Sequence, residues 1–173
     1  SFGGNEKLLV GRKIVDVLRR AKMIRMVLDK DSLLIHLKMT GQTILVDKGK
    51  RLGGGHPTSD WTNDLPSSHT RVIIKFKSGK VLYFNDQRVF GWIRLMDEEQ
   101  VQQEFSKYGP DVIDPLVTPQ FLFEKMKNRK AAVKLVLLDN KVVAGIGNIY
   151  ACDGLFLAGI DPSKPSGELS LAQ

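Results

Sequence analysis

The 173-residue chain has one cysteine, Cys152, and three histidines. A lone thiol excludes an internal disulfide and a cysteine-built zinc site, and it suits a reducing compartment. His36, His56 and His69 are too scattered to complete a zinc set with it. No apolar run approaches the roughly 20 residues of a membrane helix. The first residues show no signal-peptide pattern, so a cytoplasmic location is expected. Acidic residues are scarce in the first half: residues 1–96 hold 18 Lys and Arg against 8 Asp and Glu. Residues 97–173 reverse the balance, with 8 against 11, within an overall net charge of +7. Lys125, Lys127, Arg129, Lys130 and Lys134 form a further basic knot. Such surface attracts polyanions; a merely solvating face is the equal alternative.

What is present is ordinary globular composition, 42% hydrophobic and 26% charged, with enough chain for a real core. Up to about Leu95 short Val- and Ile-rich runs recur: Lys13–Leu18, Met23–Leu28, Leu33–Leu37, Thr43–Val46, Arg71–Phe76 and Val81–Phe84. Asp29-Lys30-Asp31 and Lys77-Ser78-Gly79-Lys80 fit hairpin turns. Residues 47–69, rich in Gly, Pro, Asp and Ser, read as a long loop carrying Trp61. After Met96 the period becomes helical. Asp97 can cap Glu98–Phe105, and Thr118-Pro119 opens a helix through Phe121, Phe123 and Met126. Ala131–Leu138 reads as another helix, one more starts near Gly147, and Glu168–Gln173 looks like the opening of a last one. The expected fold class is α+β: an antiparallel β-sandwich over 1–96, a linker with a short helix over 97–117, and a helical domain over 118–173.

Residues 145–150 read Gly-Ile-Gly-Asn-Ile-Tyr. Paired glycines before a helix bring bare backbone against an anion, and the helix dipole favours it there. The pattern predicts a helix from Gly147 or Asn148 that turns Ile149, Ala151, Leu155 and Phe156 inward; a plain tight turn accounts for the same hexapeptide. Three clusters in the β half join charge to apolar reach: Arg19-Arg20-Ala21-Lys22, His36-Leu37-Lys38-Met39-Thr40-Gly41 and Asp86-Gln87-Arg88-Val89-Phe90-Gly91. Met39 and Phe90 beside turn glycines, with Lys38 and Arg88 near, suit wedging between bases. An ordinary turn over a core Phe is the bland alternative.

These clusters, with Lys130-Ala131-Ala132-Val133-Lys134 and Leu138-Asp139-Asn140 running on through Gly145-Ile146-Gly147-Asn148-Ile149-Tyr150-Ala151, resemble the formamidopyrimidine-DNA glycosylase family of base-excision repair enzymes. The pieces appear in register over roughly 11–173. The resemblance implies a β-sandwich and a helix–two-turns–helix domain with DNA in the cleft between. It implies excision of oxidised purines such as 8-oxoguanine and formamidopyrimidines, followed by nicking of the abasic site by elimination, in the bacterial cytoplasm at the nucleoid. The implied partner is damaged or abasic duplex DNA, bound by a monomer, with no membrane.

By the same resemblance Lys22 matches the proton donor for elimination, and His36, His69, Arg88, Arg129, Lys134 and Asn148 are DNA-binding candidates. Met39, Arg88 and Phe90 match the trio that fills the gap left by an everted base. The family's nucleophile, an N-terminal proline followed by glutamate, has no counterpart in Ser1-Phe2-Gly3-Gly4. Its zinc finger needs four cysteines, so no cofactor is expected in this chain. Asp153-Gly154 replaces a Glu-Ser type pair. The expectation is a fragment of a longer enzyme that binds but does not excise. The competing expectations are a non-catalytic nucleic-acid-binding module and a β-rich interaction protein.

Overall fold

A computed structural model describes residues 2–173, which form two compact units. One comprises the chain up to Arg19 with Met23–Val101; the other comprises Arg20–Lys22 with Gln102–Gln173.

The first unit is built from nine strands: β1 (Phe2–Gly3), β2 (Ile14–Arg20), β3 (Met23–Leu28), β4 (Ser32–His36), β5 (Gly41–Asp47), β6 (Lys50–Gly55), β7 (Thr70–Lys75), β8 (Val81–Asp86) and β9 (Trp92–Met96). They make a five-stranded sheet in the order β1-β9-β4-β3-β2 and a four-stranded sheet in the order β6-β5-β8-β7. All pairings are antiparallel in the second sheet, whereas β1 runs parallel to β9. β7 alternates half-buried Thr70, Val72 and Ile74 with exposed Arg71, Ile73 and Lys75, the period of a strand with one wet face. Met26, Leu28, Leu33, Ile35 and Ile93 from one sheet meet Phe84 from the other in a single buried cluster.

The stretch 47–69 is not one loop. β6 occupies Lys50–Gly55 and pairs with β5 from Asp47↔Lys50 to Gln42↔Gly55. Lys48 and Gly49 both take positive φ, 49° and 80°, the geometry of a two-residue hairpin turn. Lys-Arg-Leu-Gly-Gly-Gly has little strand propensity, so only pairing reveals it. The glycines have a use: a Cβ on Gly53 would sit 3.3 Å from the Trp61 ring, which lies against this strand. Arg51 then ties the loop down by donating to the Trp61 and Asn63 carbonyls.

The second unit carries α2 (Pro119–Met126), α3 (Val133–Leu138) and α4 (Asn148–Leu157); α1 (Glu98–Phe105) spans the boundary. Thr118 caps α2 by accepting the Phe121 amide at 3.1 Å, with Pro119 in the first turn. Met126, Val133, Val136, Val142, Val143, Leu155 and Ile160 form its core. α4 buries Ala151 and Leu155 as expected, but Ile149 is 72% and Phe156 84% exposed, so those two do not point inward. A four-residue step joins 151 to 155 on one face, and 149 and 156 fall on others. Residues 168–173 do not open an α-helix; Ser166–Glu168 is a 3-10 turn, and turns follow.

No helix among the described residues is long and apolar enough to cross a membrane.

Candidate nucleic-acid interface

In the first unit, two turns present the Met39, Arg88 and Phe90 side chains as one exposed cluster. Met39 is 60% and Phe90 52% exposed, which removes the reading of Phe90 as a core residue. The Arg88 guanidinium lies 4.8 Å from the Phe90 ring centroid, and its Nη1 lies 3.4 Å from Met39 Sδ. Left-handed residues shape both turns, Lys38 at φ 54° and Val89 at φ 58°. Each is an unfavourable backbone state for a residue with a side chain, so something must hold it.

That support is Asp86, buried at the end of β8. Its Oδ1 accepts from the Thr40 hydroxyl and its Oδ2 from the Gly91 amide at 2.6 Å. The Thr40 oxygen in turn accepts from the Arg88 amide at 3.1 Å. Burial alone would push this carboxyl up, but the Thr40 hydroxyl and the amides of Gly91, Arg88 and Val89 outweigh it and hold it below the usual carboxylate range. A Cβ on Gly91 would come within 3.0 Å of Asp86 and 2.9 Å of Phe84, so the exit of the second turn has room only for glycine.

Two of the three histidines of this unit, His36 and His69, are engaged through their rings. His36 accepts the Lys38 amide on Nδ1 at 3.0 Å, and its ring lies 5.8 Å from that of Trp92. His69 is partly exposed and pairs through Nδ1 with buried Asp60 Oδ2 at 3.0 Å. Asp60 escaped sequence reading because nothing in Ser59-Asp60-Trp61 marks it as buried.

In the second unit, residues 109–112 form a strip laced to residues 140–144. Gly109 N–H donates to Asn140 O, Ala144 N–H to Pro110 O, and Val112 N–H to Ala144 O, each at 2.8 Å. A Cβ on Gly109 would lie 2.7 Å from two carbonyl oxygens, those of Lys141 and Val142. Part of the segment read as a linker is therefore a structural element. Lys22, exposed, donates from Nζ to the Ile146 carbonyl at 3.0 Å. That carbonyl belongs to the Gly145–Gly147 turn, so the lysine sits beside the opening of α4.

Gly145 takes φ +103°, and Gly147 is the N-cap of α4 with no side-chain hydrogen bond closing the helix end. Nothing lies within 4 Å of a Cβ built on Gly147. Exposed Asn148 follows at once, so open backbone, an amide side chain and an ammonium group share one place. Arg129 is exposed in the loop after α2, and Lys134 is half-buried in α3. That loop is pinned from behind, Gly167 N–H donating to Arg129 O at 2.9 Å. Lys127 pairs with Glu124 and Lys125 lies over the Phe121 ring, while Arg129, Lys130 and Lys134 have no ion-pair partner among the described residues.

Among the described residues no group of three or more His, Cys, Asp or Glu is placed to hold a metal.

The first unit thus exposes apolar side chains beside a cation, and the second opens a helix on bare glycine backbone next to an ammonium group. The family model for the formamidopyrimidine-DNA glycosylase N-terminal domain matches residues 3–93, and that for the formamidopyrimidine-DNA glycosylase H2TH domain matches residues 108–173. The chain belongs to the formamidopyrimidine-DNA glycosylase family. It is 38% identical to the formamidopyrimidine-DNA glycosylase of Alcanivorax borkumensis over 92% of this chain and 54% of that one. It is 36% identical to that of Chloroflexus aggregans over 96% and 56%. Among solved structures, Lactococcus lactis Fpg in complex with abasic-site DNA has a TM-score of 0.79 at 29% identity, covering 95% of this chain and 56% of the other. MutM in complex with DNA containing carbocyclic 8-oxo-G has a TM-score of 0.79 at 29% identity, covering 95% and 58%. The chain spans about half the length of the curated relatives it matches.

Proposed function

We propose that this chain is the DNA-gripping body of a repair glycosylase for oxidised purines, one that binds duplex DNA at a nucleotide turned out of the stack. The observation that carries the reading is the exposed Met39–Arg88–Phe90 cluster, held on two strained turns by one buried carboxylate. An apolar pair with a cation over the ring is suited to a vacated base position and has little use on intact duplex. Lys22 and Asn148, flanking the uncapped start of α4, supply the complementary chemistry: contacts to the phosphate of the everted nucleotide. Arg129 and Lys134 add sequence-independent phosphate contacts, and His69, held by Asp60, adds another.

The finer chemistry follows the family's logic. An amine displaces the damaged base at C1′ and forms a Schiff base, which acidifies the neighbouring C–H for elimination, and Lys22 acts as the proton donor in strand cleavage. No Pro-Glu pair occurs within residues 1–173, so the polypeptide 1–173 on its own is expected to bind without excising.

Equilibrium binding tests the reading. A duplex carrying a tetrahydrofuran abasic analogue should bind more tightly than the same undamaged duplex, with both affinities falling steeply with salt. Equal affinity for the two would reduce the chain to a generic nucleic-acid binder. Absence of salt-dependent binding would leave only an interaction protein. Borohydride trapping on 8-oxoguanine duplex should give no covalent adduct.

A further inference from the structure

Lys22 reaches its place by way of Ala21, and Ala21 is unusual. It is buried with φ +53°, a backbone state that L side chains rarely adopt. A turn of this kind persists only where its surroundings fix it. Two bonds do so. Arg20 Nη2 donates to the Gly109 carbonyl at 3.0 Å, and the Ala21 amide donates to Asp111 Oδ2 at 2.7 Å. Asp111 is itself buried, and its backbone bridges to Ala144, the residue before the Gly145–Gly147 turn. Its other oxygen faces Gly145, where an added Cβ would sit 3.5 Å from Oδ1. One carboxylate therefore stands beneath both the turn that delivers Lys22 and the turn that delivers Asn148.

We infer that Asp111 is the positioning residue for Lys22, fixing the left-handed Ala21 turn so that the lysine ammonium meets the phosphate bound at the start of α4. The inference rests on the proposed reading of Lys22 as a DNA-contacting residue. Lysine has four rotatable side-chain bonds, so its reach is defined chiefly by where its backbone is anchored. Asp111 is too deep to touch DNA itself, and its contribution passes through the amide of the preceding residue.

A double-mutant cycle tests it. Binding of the tetrahydrofuran duplex and of the undamaged duplex is measured for the wild type, Lys22→Ala, Asp111→Ala and the double variant, alongside thermal melting. Lys22→Ala is expected to weaken abasic-duplex binding by about tenfold. Asp111→Ala should cost about fivefold in the wild-type background and almost nothing once Lys22 is alanine. A merely structural role would lower the melting temperature and weaken binding to both duplexes equally, whichever residue stands at 22. Equal cost in both backgrounds, or no cost in either, overturns the inference. Should Asp111→Ala fail to fold, Asp111→Leu, which keeps the approximate volume and removes both acceptors, is put through the same cycle and judged by the same criterion. An unaffected Lys22→Ala variant would instead overturn the reading of Lys22, and this inference with it.

Discussion

Asp86 accepts the Thr40 hydroxyl and thereby joins the turn carrying Met39 to the loop carrying Arg88 and Phe90. The residues are 46 apart in sequence, and neither needs to touch DNA to matter. The shape of the exposed Met39–Arg88–Phe90 cluster, the proposed wedge, is thus supported by a buried acid that also takes the Gly91 amide.

Asp86→Ala should therefore damage both stability and selectivity. Leaving the Gly91 amide and the Thr40 hydroxyl unsatisfied is expected to cost about 1–3 kcal/mol in urea unfolding. Preference for abasic over intact duplex should shrink in the same variant, because Met39 and Phe90 lose their common support.

The same carboxyl sets a pH dependence. Its value is held below the ordinary range in the folded chain, so it contributes stability that is fully present above about pH 4, its unfolded value, and is lost as pH falls through the folded one. Unfolding midpoints measured from neutral pH downward should drop below about pH 4, and Asp86→Asn should flatten part of that drop.

Phe90→Ala should weaken binding to abasic duplex by about tenfold, the scale of one lost aromatic stack, with a smaller effect on undamaged duplex. Arg129→Ala should weaken both equally and reduce the log–log salt slope by about one unit. Titrations at several salt concentrations separate the two patterns. Equal losses for Phe90→Ala would argue against a wedge.

The two glycines before α4 should respond differently. Gly145→Ala forces a side chain into φ +103° and is expected to lower stability by about 1–2 kcal/mol. Gly147 has open space and φ −107°, so Gly147→Ala should fold well and lose chiefly anion affinity. Thermal melts with and without DNA distinguish them.

Much of this was legible in the residues. A short apolar run marked β3, alternation marked β7, and Thr118-Pro119 marked the start of α2, because composition, side-chain period and caps are local signals. β6 was not legible, since a Gly-rich edge strand owes its form to pairing with β5 and to Trp61 packing on Gly53. The outward turn of Ile149 and Phe156 was missed because α4 is apolar nearly all round, which leaves the sequence no face to choose. Met39, Phe90 and Asn148 stood out beside turn glycines, whereas Arg88 and Lys22 stood out within charged clusters and through the family resemblance. The buried acids beneath them did not: Asp86, Asp60 and Asp111 look like ordinary polar residues until their long-range partners are seen.

Fluorescence of 2-aminopurine placed beside a tetrahydrofuran site in duplex DNA tests the central claim most directly, because it reports unstacking of the neighbouring base. If Met39 and Phe90 enter the vacated position, binding of the wild-type chain raises the signal, and Phe90→Ala at saturating concentration does not. An unchanged signal with bound wild type, or the same rise with Phe90→Ala, would contradict the account.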